Sequence, residues 1–280
     1  MSTISEKLTQ LNTIKGDIKT AINNKGGEVG DDFSTYATAI NNLSTGSGGS
    51  DGSGETYMHP DFFEYRTSNN TDYSYLFHSF YFPSGLVDLS DWNTTGVTTL
   101  SYAFYGSFTG VKKLILSGWD VSKVTDLSSA FQSKNQLEEL DLSGWDTSKV
   151  YNMNYTFNNC QFLVTINGYL DLSNLTNGFY PASYSNPVKS CRSLETLYLK
   201  NIYKDITVTN ASKYSINLGE TAIKDSCLLY IIDQLPNLYE KGITNNTNIV
   251  LTLPPTNTLT QEQVQVALDK GWQVANVNFS

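Results

Sequence analysis

Leu140-Asp-Leu-Ser-Gly-Trp-Asp-Thr-Ser-Lys-Val150 repeats, almost word for word, a phrase already written as Leu114-Ile-Leu-Ser-Gly-Trp-Asp-Val-Ser-Lys-Val124. Outward from it, Trp92, Trp119 and Trp145 recur at intervals of 27 and 26 residues, and Val97, Val124 and Val150 keep the same intervals. So do Leu100, Leu127 and Met153, and then Phe104, Phe131 and Phe157. Four columns in register define a structural repeat. One such unit cannot bury its apolar face alone, so neighbours must stack, and equivalent side chains must form ladders down a shared core. The three tryptophans are accordingly read as structural.

The alternation in Leu140-Asp141-Leu142 is that of a strand with one buried face, and Ser143-Gly144 then makes a turn. Val150, Met153 and Phe157 fall at i, i+3 and i+7, which predicts a short helix with Asp146 as its cap. The phrase L-x-x-L-x-L occurs at Val111-Leu114-Leu116, Leu137-Leu140-Leu142 and Leu194-Leu197-Leu199. The expected fold class is therefore an α/β repeat, a leucine-rich-repeat solenoid of strand, turn and helix units. Asp120, Asp146 and Asn93 share one turn position; one oxygen ligand per unit is too few for a calcium ladder, so capping is the expected role.

Composition divides the rest. Residues 1–43 carry a helical stripe, Ile4, Leu8, Leu11, Ile14, Ile18 and Ile22, which suits an attachment module that oligomerises as a homotrimer; folding back on a second helix, from Ser34 to Leu43, is the alternative. Residues 44–54 are Gly and Ser with little else, a flexible linker. Residues 55–84 are dense in aromatics and are expected to cap the first open face of the solenoid, residues 85–202 hold the repeats, and residues 203–280 close the other end. In that closing segment Ser226 to Leu235 and Thr260 to Lys270 read as helices, the second with a Thr260/Gln263 capping box, and residues 249–253 and 272–277 read as strands.

Several functions lack their residues. A net charge of -9 with only 16% charged residues offers no basic stripe for nucleic acid and no attraction to an anionic membrane. No apolar run of about 18 residues reads as a membrane span, and Met1 to Lys7 does not read as a secretory signal. Cys160, Cys191 and Cys227 lack metal or disulfide spacing and are read as core residues. His59 and His78 are the only histidines, leaving a catalytic triad or zinc cluster almost nothing to draw on. Paired carboxylates could still cleave glycosidic bonds, but Glu138, Glu139 and Asp141 lie in or beside a repeat strand. No catalytic, cofactor-binding or metal residue is assigned, and the chain is expected not to be an enzyme.

Leu140 to Phe157, with its W-D-T-S-K-V-x-x-M-x-x-x-F, resembles the leucine-rich repeats of BspA-type bacterial surface proteins, over residues 85–200 or so. The segments Ile231-Ile-Asp-Gln-Leu-Pro-Asn-Leu, Leu259-Thr-Gln-Glu-Gln and Lys270-Gly-Trp are similar to that family's closing segment. The resemblance implies adhesion or binding. Ile18-Lys-Thr-Ala-Ile-Asn-Asn-Lys-Gly26, followed by Phe33-Ser-Thr-Tyr-Ala-Thr-Ala-Ile40, resembles a short N-terminal module of tailed-bacteriophage structural and fibre proteins. Together they imply a virion fibre or spike, on head or tail, assembled in the host cytoplasm. Its N-terminus would hold a capsid or tail protein, and its repeats would meet a host surface glycan or protein. A bacterial cell-surface adhesin is the alternative, and a carbohydrate-active enzyme the third class. Expected contact residues are the outward strand positions Lys113, Glu139, Asp141, Tyr198 and Lys200, with Phe179, Tyr180 and Tyr184 in the loop 178–186.

Overall fold

A computed structural model of the chain describes residues 70–78, 82, 85–106, 110–176, 186–207, 214–244 and 249–277. The helical stripe, the linker and the aromatics at 179, 180 and 184 lie outside the described residues. Five strands, β1 (Gly85–Asp88), β2 (Val111–Ile115), β3 (Glu139–Asp141), β4 (Thr165–Asp171) and β5 (Thr196–Lys200), form one parallel sheet in sequential order. Successive strands belong to successive coils, so the chain is a parallel β-solenoid. On a second side a ladder of single bridges joins Asp72, Thr99, Asp126 and Asn152.

The helix predicted after Asp146 is not there. Val150 to Phe157 turns repeatedly, and its equivalents in other coils do the same. The reason lies in where the backbone N–H groups point. Leu127, Ser129 and Phe131 donate to the carbonyls of Asn152, Asn154 and Thr156 in the next coil at 2.9, 2.8 and 2.8 Å. Leu100, Tyr102 and Phe104 donate likewise to Asp126, Ser128 and Ala130. The intervening groups close short turns within the coil, as Ala130 N–H does to Leu127 O. This division places a left-handed residue in four successive coils, at Tyr75, Tyr102, Ser129 and Tyr155, with φ of 58°, 56°, 54° and 58°. A second left-handed column follows at Gly106, Ser133 and Asn159. Left-handed non-glycine residues cost about 1 kcal/mol each and cannot sit inside a right-handed helix. The inter-coil hydrogen bonds offset that cost.

Asp146 does not cap a helix; its Oδ1 accepts the backbone N–H of Ser148, two residues on, at 3.0 Å. That Asx-turn makes a corner, and Asn93 and Asp120 make the same corner through Thr95 and Ser122. Asp88, Asp141 and Asp171 do so at the strand ends, through Ser90, Ser143 and Ser173. Asp72, Asp126 and Asn152 make a third corner, through Ser74, Ser128 and Asn154. Short polar side chains therefore bend the coils, and the residue two positions downstream, most often Ser, supplies the N–H.

The inside is filled by the repeat columns. Phe77, Phe104, Phe131 and Phe157 stack with centroids 4.8, 5.2 and 5.7 Å apart, close to the separation of paired strands. Trp92, Trp119 and Trp145 stack beside them at 6.4 and 6.3 Å, and all seven rings are buried. Each fully buried ring of this size contributes about 3 kcal/mol from leaving water. The indole N–H of Trp119 donates to Leu89 O at 2.7 Å and that of Trp145 to Leu116 O at 2.8 Å, one coil back. Gly118 precedes the central tryptophan because a Cβ there would stand 1.9 Å from Ser90 O.

Beyond β5 come β6 (Ile216–Asn217), α1 (Asp225–Gln234), β7 (Val250–Thr252), α2 (Gln261–Asp269) and β8 (Gln273–Ala275). The three strands form a second parallel sheet in the order β6-β7-β8. Thr260 caps α2 in a reciprocal box with Gln263, as its sequence predicts. Helix α1 packs against β5, the last strand of the five-stranded sheet, where an uncovered edge would invite pairing with another chain.

Candidate functional site

The sheet β1–β5 turns Val87, Leu114, Leu140, Ile166 and Leu197 inward, so alternate residues face out in lines across the coils. Lys113, Glu139 and Thr165 are neighbours in one line, and Ile115, Asp141 and Asn167 in the next. Lys113 Nζ lies 2.9 Å from Glu139 Oε1, and Asn167 Nδ2 donates to Glu139 at 2.8 Å. The hydrogen bond from Lys113 and the nearby carboxylates hold its ammonium above the usual lysine range. Lys112 pairs with Glu138 in the same manner. Asp141 turns its Oδ1 back to Ser143 N–H, so this carboxylate also serves the corner of its coil. Lys200 Nζ stands 3.9 Å from the buried carboxylate of Asp171, which also accepts from Asn201 at 2.6 Å. Lys113, Glu139 and Asp141 are thus brought together on β2 and β3, and Tyr198 and Lys200 lie along β5.

Between β3 and β5 the repeat changes. Thr165 and Tyr169 of β4 pair with Thr196 and Tyr198 of β5, so a stretch of four steps runs beside one of two. The bulge that absorbs the excess lies between Thr165 and Tyr169. Gly168, with φ of 105°, lies within it, and a Cβ there would stand 2.6 Å from Leu142 O. The bulge turns Tyr169 outward, where it is 49% exposed. Its ring meets Tyr198 at 5.5 Å and Tyr230 of α1 at 5.6 Å, and those two meet each other at 5.4 Å. The Cys227 thiol of α1 beside the Tyr198 hydroxyl raises its pKa. Sequence reading named Tyr198 and missed its two partners, since one depends on a bulge and the other on a helix some 30 residues downstream.

A second aromatic group lies on the turn side of the first coils. Tyr75 stacks on Tyr102 at 4.8 Å and 5°, and His78 on Tyr105 at 5.6 Å and 3°. These rings lie face to face along successive coils, as the buried phenylalanines do.

Lys134, Cys160 and Cys191 share one interior column, and each reaches back one coil. Lys134 Nζ donates to Gly106 O at 2.5 Å, Cys160 Sγ to Phe131 O at 3.0 Å and Cys191 Sγ to Phe157 O at 3.0 Å. Burial brings the lysine pKa down to about 7 and pushes the Cys160 thiol up to about 12. The Cys191 thiol is also raised well above its ordinary value by burial. These thiols are protonated packing groups that serve as donors.

Among known families, residues 71–187 match the model described as Mycoplasma protein of unknown function, DUF285. The match spans less than half of the chain and runs from the first coils through the β4 coil. No curated protein and no solved structure matches the sequence. Among the described residues, no helix is long and apolar enough to cross a membrane.

Proposed function

We propose that this chain is a surface-binding structural protein of a bacteriophage virion, a fibre or spike whose solenoid meets a host or environmental surface. The observation that carries the reading is the division of labour in the coils. Regular columns of Phe, Trp and Leu are consumed by packing, while Lys113, Glu139, Tyr169 and Tyr198 stand on one outward sheet. Such a sheet is a platform for recognition. The phrase L-x-x-L-x-L puts buried residues at 111, 114 and 116, at 137, 140 and 142, and at 194, 197 and 199, which supports reading the coils as a leucine-rich-repeat variant with turns in place of helices. Residues 1–43 would attach the protein as a homotrimer to a capsid or tail protein, and residues 44–54 would give it reach. Several copies on one particle would let weak contacts add up.

The bacterial-surface reading, a BspA-type adhesin, is favoured by the family match, which overlaps the residues resembling those repeats. One experiment separates the two. Antibody against the full chain, followed by gold labelling, should mark purified phage particles; label confined to the envelope of uninfected cells would overturn the virion reading in favour of the adhesin.

A further inference from the structure

We propose that Tyr169, Tyr198 and Tyr230 form a subsite for one neutral pyranose ring of a surface glycan, which rests on the surface-binding reading above. The bulge is the first ground. A regular strand would place one outward residue between Ile166 and Leu170; β4 places three, and keeps Gly168 among them because Leu142 O leaves no room for a side chain. The product of this irregularity is an exposed tyrosine beside two others from a different strand and from α1. Bulges commonly re-aim a side chain in this way next to binding sites.

Ring geometry is the second ground. The interplanar angles are 44°, 52° and 84°, so no two of the rings stack in parallel, and Tyr169 keeps about half of its surface exposed. Tyr75 and Tyr102, at 5°, each cover one face of the other, and His78 also packs on Tyr75. An aromatic face carries negative charge density, and one face of a pyranose carries only C–H groups, so the two lie together without competing for water. Sugar hydroxyls project around the rim of the ring. In the bulge beside the tyrosines stands Asn167, whose amide can donate and accept at that rim.

Charge selects among sugars. Lys113 and Lys200, the flanking cations, are each committed to a carboxylate, Glu139 and Asp171, and Asp141 adds another negative group. An anionic sugar would meet Glu139 and Asp141, while Lys113 and Lys200 are already paired. The ligand is therefore a neutral hexose or N-acetylhexosamine.

The test uses the full chain on an array of neutral and sialylated oligosaccharides, with retention on intact bacterial cells measured in parallel. A neutral probe should bind, Tyr169→Ala should weaken it about tenfold or more, and Tyr169→Phe should stay close to the native chain. Tyr75→Ala serves as the control and should leave binding unchanged. Thermal unfolding confirms that each variant is folded, and Tyr198→Ala provides a second route should Tyr169→Ala lower the melting temperature. Native binding by Tyr169→Ala and Tyr198→Ala, or a preference for sialylated probes, would overturn the subsite. Retention on cells with no response to any glycan would also overturn it while leaving the surface-binding reading intact, whereas failure on both counts removes that reading itself.

Discussion

The coils from β1 to β3 and the coil built on β4 are made from the same phrase and put to different uses. In the regular coils every column is answered by its neighbour: phenylalanine stacks on phenylalanine, and each bending Asp finds a backbone N–H two residues away. In the β4 coil the register breaks, a glycine is trapped against Leu142 O, and a tyrosine emerges where the repeat would bury its excess. Regularity yields stability because each coil templates the next. Irregularity interrupts the template and leaves side chains that no neighbour claims, which is what a binding surface needs.

Breaking the regular side should have the largest effect. Phe131 is enclosed by Phe104, Phe157 and Trp145, so Phe131→Ala leaves a void that the stacked coils cannot close. A loss of about 3–5 kcal/mol is expected in denaturant unfolding. On the irregular side, Gly168→Ala sets a methyl against Leu142 O and strains a left-handed residue, so a loss of about 1–3 kcal/mol should accompany weaker retention on cells.

Lys134 tests the interior column through pH. Its pKa is about 7 in the fold, against about 10.4 in an unfolded chain, so between these values the unfolded state binds more protons and stability rises with pH. The gain is about 1 kcal/mol between roughly pH 7 and 8, below the range where the raised thiols of Cys160 and Cys191 act in the opposite direction. Melting curves across this window should show the rise in the native chain and its loss in Lys134→Met. The smallest change expected is a gain. Thr94 is buried with no partner for its Oγ1, Val121 occupies the same column one coil on, and Thr147, the next member, is hydrogen-bonded to Asp171. Thr94→Val should therefore stabilise the fold by up to about 1 kcal/mol, while Thr147→Val should destabilise it.

The core was legible because Trp, Val, Leu and Phe recur at one interval, and only stacked coils can satisfy four columns at once. Both helices and the capping box after β5 were also readable, from local apolar spacing and Thr260. The turns of the regular coils were misread as helix, since Val150, Met153 and Phe157 fit a helical face and a twice-bent coil equally well. The distinguishing signal was present in the corners: Asp120-Val-Ser122, Asp126-Leu-Ser128 and Asp146-Thr-Ser148 each pair an Asx oxygen with an N–H two residues later. Small residues at Gly106, Ser133 and Asn159 mark one left-handed column, but the tyrosines of the other gave no warning. Among the expected contacts, Lys113, Glu139 and Tyr198 were placed on the outward face by strand alternation alone. Tyr169 and Tyr230 were not, because a bulge shifts phase and a helix approaches from far along the chain.

The separation of stability from recognition is tested most directly by measuring the melting temperature and retention on intact cells together for Tyr169→Ala. A native melting temperature with retention lowered about tenfold is expected. Native retention in a natively stable variant would contradict it.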